Sequence, residues 1–149
     1  MRVVILGCGR VGARLANSLD REGHEVGIID RNSEAFSRRL SPDFTGTVVV
    51  GVGIDGDVMR RAGMEGADVF AAVTNNDNTN IMASQMAKLI FGVPKVICRI
   101  YDPIRHETYR TLGLETVSPT TLGANRVREL LEARVAKPQT AGVAPSQGG

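Results

Sequence analysis

The sequence predicts a doubly wound α/β sheet of the Rossmann type, and three observations carry that prediction. Short β-branched runs alternate with helical patterns about five times along the chain. Several of those runs are apolar at nearly every position, as parallel strands covered on both faces must be. Glycines fall where the intervening helices should stop, each shortly before the next strand. Parallel neighbours need crossover connections, so this order leaves few other architectures.

The elements follow in order. Strands are expected at Val3–Leu6, Val26–Ile29, Thr47–Val50, Val69–Val73, Val96–Ile100 and Glu115–Val117. Between them, helices are expected at Arg10–Arg21, Glu34–Leu40, Gly56–Ala62, Thr79–Phe91, Ile104–Leu112 and Leu122–Ala136. Val11, Leu15 and Leu19 give the first helix an apolar stripe, and Met82, Met86, Leu89 and Ile90 give one to the fourth. Gly23, Gly63, Gly92 and Gly113 stand at helix ends, where a left-handed backbone costs glycine little. From Lys137 the composition turns to Pro, Gly, Ser and Gln without apolar period, which predicts a disordered tail over residues 137–149 after one domain spanning 1–136.

Composition removes several function classes. At 149 residues the chain suits one domain, and 42% hydrophobic with 23% charged residues is an ordinary globular balance. A net charge of +2 without a basic run argues against a nucleic-acid partner, and 4% aromatic residues against a base-stacking platform. No apolar run approaches a membrane span, and Arg2–Leu6 is too brief for a signal-peptide core. A cytoplasmic protein is therefore expected, with Cys8 and Cys98 as reduced, buried thiols rather than a disulfide or metal pair.

The chemistry concentrates in Gly7-Cys8-Gly9-Arg10-Val11-Gly12, which follows the first strand and opens the first helix. Gly7 permits the tight turn, Gly9 lets a diphosphate approach the backbone, and Gly12 lets the helix pack closely. Exposed amides and the positive helix end then favour an anion. Asp30 ends the second strand eighteen residues beyond Gly12, at the spacing of a ribose-binding acid. A carboxylate there accepts from ribose hydroxyls and repels a 2′-phosphate, so NAD is preferred to NADP. Arg31 works the other way, since a guanidinium could bind that phosphate or stack on adenine.

Four stretches together resemble the regulatory domains of potassium channels and transporters known as RCK, KTN or TrkA-N domains. They are the glycine loop with Arg10 after its second glycine, Gly51-Val52-Gly53-Ile54-Asp55, Ala72-Val73-Thr74-Asn75-Asn76-Asp77-Asn78-Thr79-Asn80, and Val96-Ile97-Cys98-Arg99-Ile100. The resemblance implies a non-enzymatic cytoplasmic regulatory subunit that forms a homodimer or higher ring beneath an integral-membrane potassium channel or transporter. It also implies NAD(H) or ATP/ADP as the regulatory ligand. By position, Arg10 and Arg99 would face the phosphates and Asp30 the ribose. Val52 and Gly53 would flank the adenine, and Thr74 and Asn75 would line the cleft. Val52 stands where the family usually carries an acid, which removes a polar reader of the adenine amine. The last helix resembles the family's crossover helix and is expected to dock on a second copy, with Arg126, Arg128 and Arg134 on a solvated face.

Two other readings stay open. An NAD-dependent oxidoreductase would need a proton donor beside the nicotinamide. Tyr101 and Tyr109 lack a lysine four residues on, and neither His24 nor His106 belongs to a recognisable constellation. A free-standing nucleotide-binding module is the other alternative, because fold alone does not fix function.

Overall fold

The computed structural model describes residues 1–111 and 113–143, with residues 134–143 described by their backbone alone. Two compact units divide at Val117 and Ser118. In the first, β1 (Arg2–Leu6), β2 (Glu25–Asp30), β3 (Thr47–Val50), β4 (Val69–Ala72), β5 (Lys95–Arg99) and β6 (Glu115–Val117) form one sheet. Its order is β3-β2-β1-β4-β5-β6 and every pairing is parallel. This is the doubly wound arrangement the alternation predicts. The chain winds outward from β1 to β3, then returns to β4 at β1's other side and winds outward again.

Five helices connect these strands: α1 (Arg10–Arg21), α2 (Ser33–Arg39), α3 (Gly56–Arg61), α4 (Asp77–Leu89) and α5 (Pro103–Thr111). Strand alternation sorts the core into two layers. Val3 and Ile5 of β1 pack with Ile28, Ala71 and the α1–α2 residues Ala13, Ala16, Ala35 and Phe36. Val4 and Leu6 point the other way, onto Ile29, Phe70 and the α3–α4 residues Val58, Met59, Ala83 and Ala87. The glycines expected at helix ends, Gly23, Gly63, Gly92 and Gly113, all have positive φ. Cys8 and Cys98 are buried free thiols.

The helix stripes differ from the expectation. On α1 the buried residues are Gly12, Ala13 and Ala16, with Leu15 and Leu19 half-buried and Val11 39% exposed. On α4 the buried set is Asn80, Ile81, Ala83, Ser84 and Ala87, whereas Met82, Leu89 and Ile90 are exposed. The physical reason is the same in both. A helix lying close on a sheet needs small residues at the contact, so the larger apolar side chains are displaced to its flanks. The fourth helix also starts at Asp77, two residues before the expected Thr79, because Asn76 caps it by accepting from the Thr79 amide at 2.9 Å.

The second unit contains α6 (Pro119–Val143). The division at Ser118 falls inside the span 1–136 expected as one domain. Helix also continues through residues 137–143, which composition assigns to a tail. Leu112 and residues 144–149 of the expected elements lie outside the described residues. No helix among the described residues is long and apolar enough to cross a membrane.

Gly27, in the middle of β2, offers a test of this packing. An added Cβ there would stand 1.9 Å from the Ala62 carbonyl oxygen at the end of α3, which cannot rotate aside. Gly27→Ala is expected to destabilise the chain by about 1–3 kcal/mol, the cost of overpacking a core. A urea midpoint lowered with an unchanged slope is the expected signature.

Candidate functional site

The glycine loop leaves β1 under tight restraint. Gly7 has φ +107°, and a Cβ on it would lie 3.0 Å from the Thr74 nitrogen. A Cβ on Gly12 would meet the Gly7 carbonyl oxygen at 1.8 Å, so α1 seats directly on the loop itself. Gly9 has open space around its Cα, as a backbone left clear for a ligand requires. Helices α2, α3 and α4 each have a side-chain cap and an acid in the first turn: Asn32 with Glu34, Asp55 with Asp57, and Asn76 with Asp77. Helix α1 has neither, and Arg10 opens it instead. Its positive end is therefore not offset by its own side chains.

Asp30 does more than its spacing implies. One carboxylate oxygen accepts from the Cys8 amide at 2.8 Å and the other from the Asn32 amide at 2.8 Å. The acid thereby ties the glycine loop to the end of β2. Each oxygen retains a free lone pair, enough to accept from a ribose hydroxyl.

A cavity of about 430 Å³ opens beyond the carboxyl ends of β1, β2 and β4. Seven of the expected residues line it: Gly7, Asp30, Arg31, Val52, Gly53, Thr74 and Asn75. Leu6, Asn32, Ile54, Asn76 and Thr79 also line it, although spacing did not single them out. Val52 and Ile54 are exposed apolar side chains there, at 47% and 39%, and offer a surface suited to a flat base. Gly53 is buried, and a Cβ on it would strike Leu6 at 2.2 Å.

The remaining expected residues stand outside this lining. Gly9, Arg10, Val11 and Gly12 form the loop crest and first turn of α1, with Arg10 exposed. Arg99, at the end of β5, turns its guanidinium over the Tyr101 ring at 4.3 Å, bonds the Tyr101 hydroxyl, and donates to the Val73 carbonyl at 3.5 Å. Its Nε is buried without a partner among the described residues. In this conformation Arg99 braces the loop after β4 rather than facing the cavity.

Thr74 has a restricted chemistry. Its hydroxyl lies 2.6 Å from Asn80 Oδ1 and 3.3 Å from the Asn76 carbonyl, and its single proton goes to the nearer acceptor. The Asn76 amide donates back to the hydroxyl at 3.1 Å. What Thr74 has left for a ligand is one lone pair, suited to a ribose hydroxyl or an amine and not to a phosphate oxygen. Asn80 closes the motif stretch Ala72–Asn80, and its spacing alone implies no role. The available signal was an asparagine on the same helical face as Ala83, Ser84 and Ala87, where a polar residue requires full pairing.

A doubly wound sheet with a glycine loop, a ribose-spaced acid and a cavity at its switch point defines a Rossmann-type nucleotide-binding domain. Within that class the family is specific. The TrkA-N domain matches residues 3–119, and the chain belongs to this family. It is 48% identical over 132 residues to the Trk system potassium uptake protein TrkA of Streptomyces coelicolor, covering 88% of this chain and 59% of that protein. Among solved structures, the GsuK RCK domain matches with TM-score 0.74 and 27% identity over 95% of this chain and 30% of its own. The GsuK channel bound to NAD gives 0.75 and 27% over 95% and 25%. GsuK bound to ADP gives 0.72 and 28% over 89% and 34%. The chain thus spans about 59% of the length of the TrkA relative.

The environment of the loop also predicts the behaviour of its cysteine. Burial first, then the neighbouring Asp30 carboxylate, pushes the Cys8 thiol up to about 11. The thiol form is favoured by folding, so this contribution is full below the ordinary thiol range and is lost as pH rises through about 11. At pH 8, iodoacetamide is expected to modify Cys8 only as fast as the chain opens, read by mass spectrometry with and without urea.

Proposed function

We propose that this chain is the nucleotide-sensing module of a potassium uptake system. It binds NAD(H) or ATP/ADP in the cavity beyond β1, β2 and β4, and gates potassium flux through an integral-membrane partner by changing conformation. The observation that carries the reading is the glycine loop held to Asp30 beside a cavity with exposed Val52 and Ile54. The TrkA relative and the NAD- and ADP-bound GsuK structures support it. In this reading Gly7, Gly9, Val11 and Gly12 present the loop amides, Arg10 at the loop crest meets the phosphates, and Arg99 joins it by swinging its guanidinium off the Tyr101 ring. Asp30 takes the ribose hydroxyls, with Arg31, Val52, Gly53, Thr74 and Asn75 around the base and sugar. The module works on the cytoplasmic face of the membrane, as a regulator and not an enzyme. Among the described residues, Asp30 and Arg31 are the titratable ones lining the cavity.

Calorimetric titration tests the nucleotide assignment. NAD+ is expected to bind more tightly than NADP+, because Asp30 repels a 2′-phosphate. Asp30→Ala should weaken NAD+ binding by about 1–3 kcal/mol or more, since it removes both a charged acceptor and the tie to the loop. Equal affinity of the wild-type chain for NAD+ and NADP+ would overturn the role given to Asp30.

The proposed assembly uses α6. Leu122, Val127, Leu130 and Leu131 are each more than half exposed, while Arg126–Glu129 and Arg128–Glu132 pairs occupy solvated positions. The side chains of Arg134 and Val135 lie outside the described residues. An apolar set of this size on one helix suits burial against a second copy, giving a symmetric dimer. Light scattering should give a dimer or larger for the whole chain and a monomer after truncation at Pro119. A monomer in both cases, at tens of micromolar with NAD+ present, would defeat this assembly.

A further inference from the structure

The pairing of β4 with β5 ends at Ala72 and Cys98. Beyond that point the two chains diverge, β4 into Val73–Asn76 and β5 into Arg99–Asp102. One side chain fills the gap. Asn80, in the first turns of α4 and wholly buried, inserts its carboxamide between the departing strands. Its Nδ2 donates to the Thr74 carbonyl at 3.0 Å and to the Arg99 carbonyl at 2.9 Å. Its Oδ1 accepts from the Thr74 amide at 3.0 Å and from the Thr74 hydroxyl at 2.6 Å.

These four bonds use the full capacity of a carboxamide, two donors and two acceptor lone pairs. They also fix its orientation, because a flipped amide would set NH2 against the Thr74 amide and oxygen against two carbonyls. Few side chains could replace it. A carboxylate keeps the acceptors and loses both donors, serine is too short to bridge, and glutamine is too long for a packed site. The amide extends the sheet by one rung where backbone pairing has stopped.

We infer that Asn80 is the positioning residue of the nucleotide cavity, clamping the end of β4 to the end of β5 and so fixing where Thr74 and Arg99 stand toward a ligand. This inference rests on the nucleotide reading above. Thr74 lines the cavity and Asn80 does not, so Asn80 acts through Thr74 and Arg99 rather than by touching the ligand. The clamp also determines what Thr74 offers, since Asn80 Oδ1 takes the hydroxyl proton and leaves an acceptor.

Two measurements test this, one needing no ligand. Amide hydrogen exchange on the free chain should show Thr74 exchanging at least about tenfold faster in Asn80→Ala, as its acceptor is lost. The Val73 amide, which donates to the Leu6 carbonyl at 2.8 Å within the sheet, should keep its protection. Asn80→Asp retains the acceptor, so Thr74 should stay protected there while the Arg99 end loosens; this variant serves if the alanine chain does not fold. Thr74 protection unchanged in Asn80→Ala would overturn the clamp, whatever the nucleotide does.

The second measurement is a cycle of Asn80→Asp and Arg99→Ala, titrated calorimetrically with ADP and NAD+. Each single change should weaken binding, and the double change should cost clearly less than the product of the two, because Arg99 is already misplaced once Asn80 cannot hold its carbonyl. Independent losses would overturn the positioning role. A general loss of stability would weaken binding without that coupling. A wild-type chain that binds neither ADP nor NAD+ would overturn the nucleotide reading, and the exchange measurement would still decide the clamp.

Discussion

The approach of α1 to the end of β1 governs much of this structure. Gly12 sits where a methyl group would overlap the Gly7 carbonyl oxygen, 1.8 Å from its ideal Cβ. Backing the helix away by the width of a methyl would move its first-turn amides from the loop. It would also draw Cys8 from Asp30, whose carboxylate holds the Cys8 amide at 2.8 Å. Gly7, with φ +107°, has no freedom to absorb such a shift, because the Thr74 backbone closes the space on its other side. Glycine at both positions therefore sets helix, loop, β2 acid and the start of the β4 loop in one arrangement. The cavity is a consequence of that packing.

Its location follows from topology. The sheet winds outward from β1 in one direction and from β4 in the other, so the connections leaving β1 and β4 part on opposite faces. A crevice must open between them. Gly7 touching Val73 and Thr74 marks its floor, and the segments after β2 and β3 supply Arg31, Val52 and Ile54 as its wall. His24 precedes β2 and lies at the other end of the strands, where its Nδ1 meets the chain's amino group at 3.2 Å. It has no geometric route to the crevice.

Much of this was legible in the sequence. The strands are short runs that are apolar at nearly every position, and the glycines after α1, α3, α4 and α5 announce their helix ends without tertiary information. The glycine loop and Asp30 are readable because each is tied to a strand end by fixed spacing. Side-chain contact is less readable. Val11, Met82, Leu89 and Ile90 look like core from their periodicity, but the contact with the sheet is made mostly by glycine, alanine and serine and leaves these to solvent. Arg99 has the expected position in the chain, yet its guanidinium depends on a ring two residues away that spacing does not register. Asn80 could be found only by asking which partners a buried carboxamide would need.

The hydrogen bonds around α4 show how a ligand in the crevice would be felt elsewhere. Thr74 is joined through Asn80 to the Arg99 carbonyl. One turn earlier on the helix, Asp77 accepts from the Tyr101 and Asp102 amides at 2.9 and 3.2 Å, and Asn78 accepts from Arg105 of α5 at 2.6 Å. The loop that meets the ligand, the start of α4 and the entry to α5 are thus one bonded body. A ligand that shifts Thr74 must move this body or break a bond to the wholly buried Asn80, which would leave its carboxamide without water to replace the partner. Moving together is the cheaper response. The exposed Met82, Leu89 and Ile104 ride on the same two helices, so a change at the crevice would also displace an apolar surface. Whatever that surface packs against, the ligand can shift the balance between two arrangements only by its difference in affinity for them. The loop bonds to Asn80 and Asp77 are where that difference would arise.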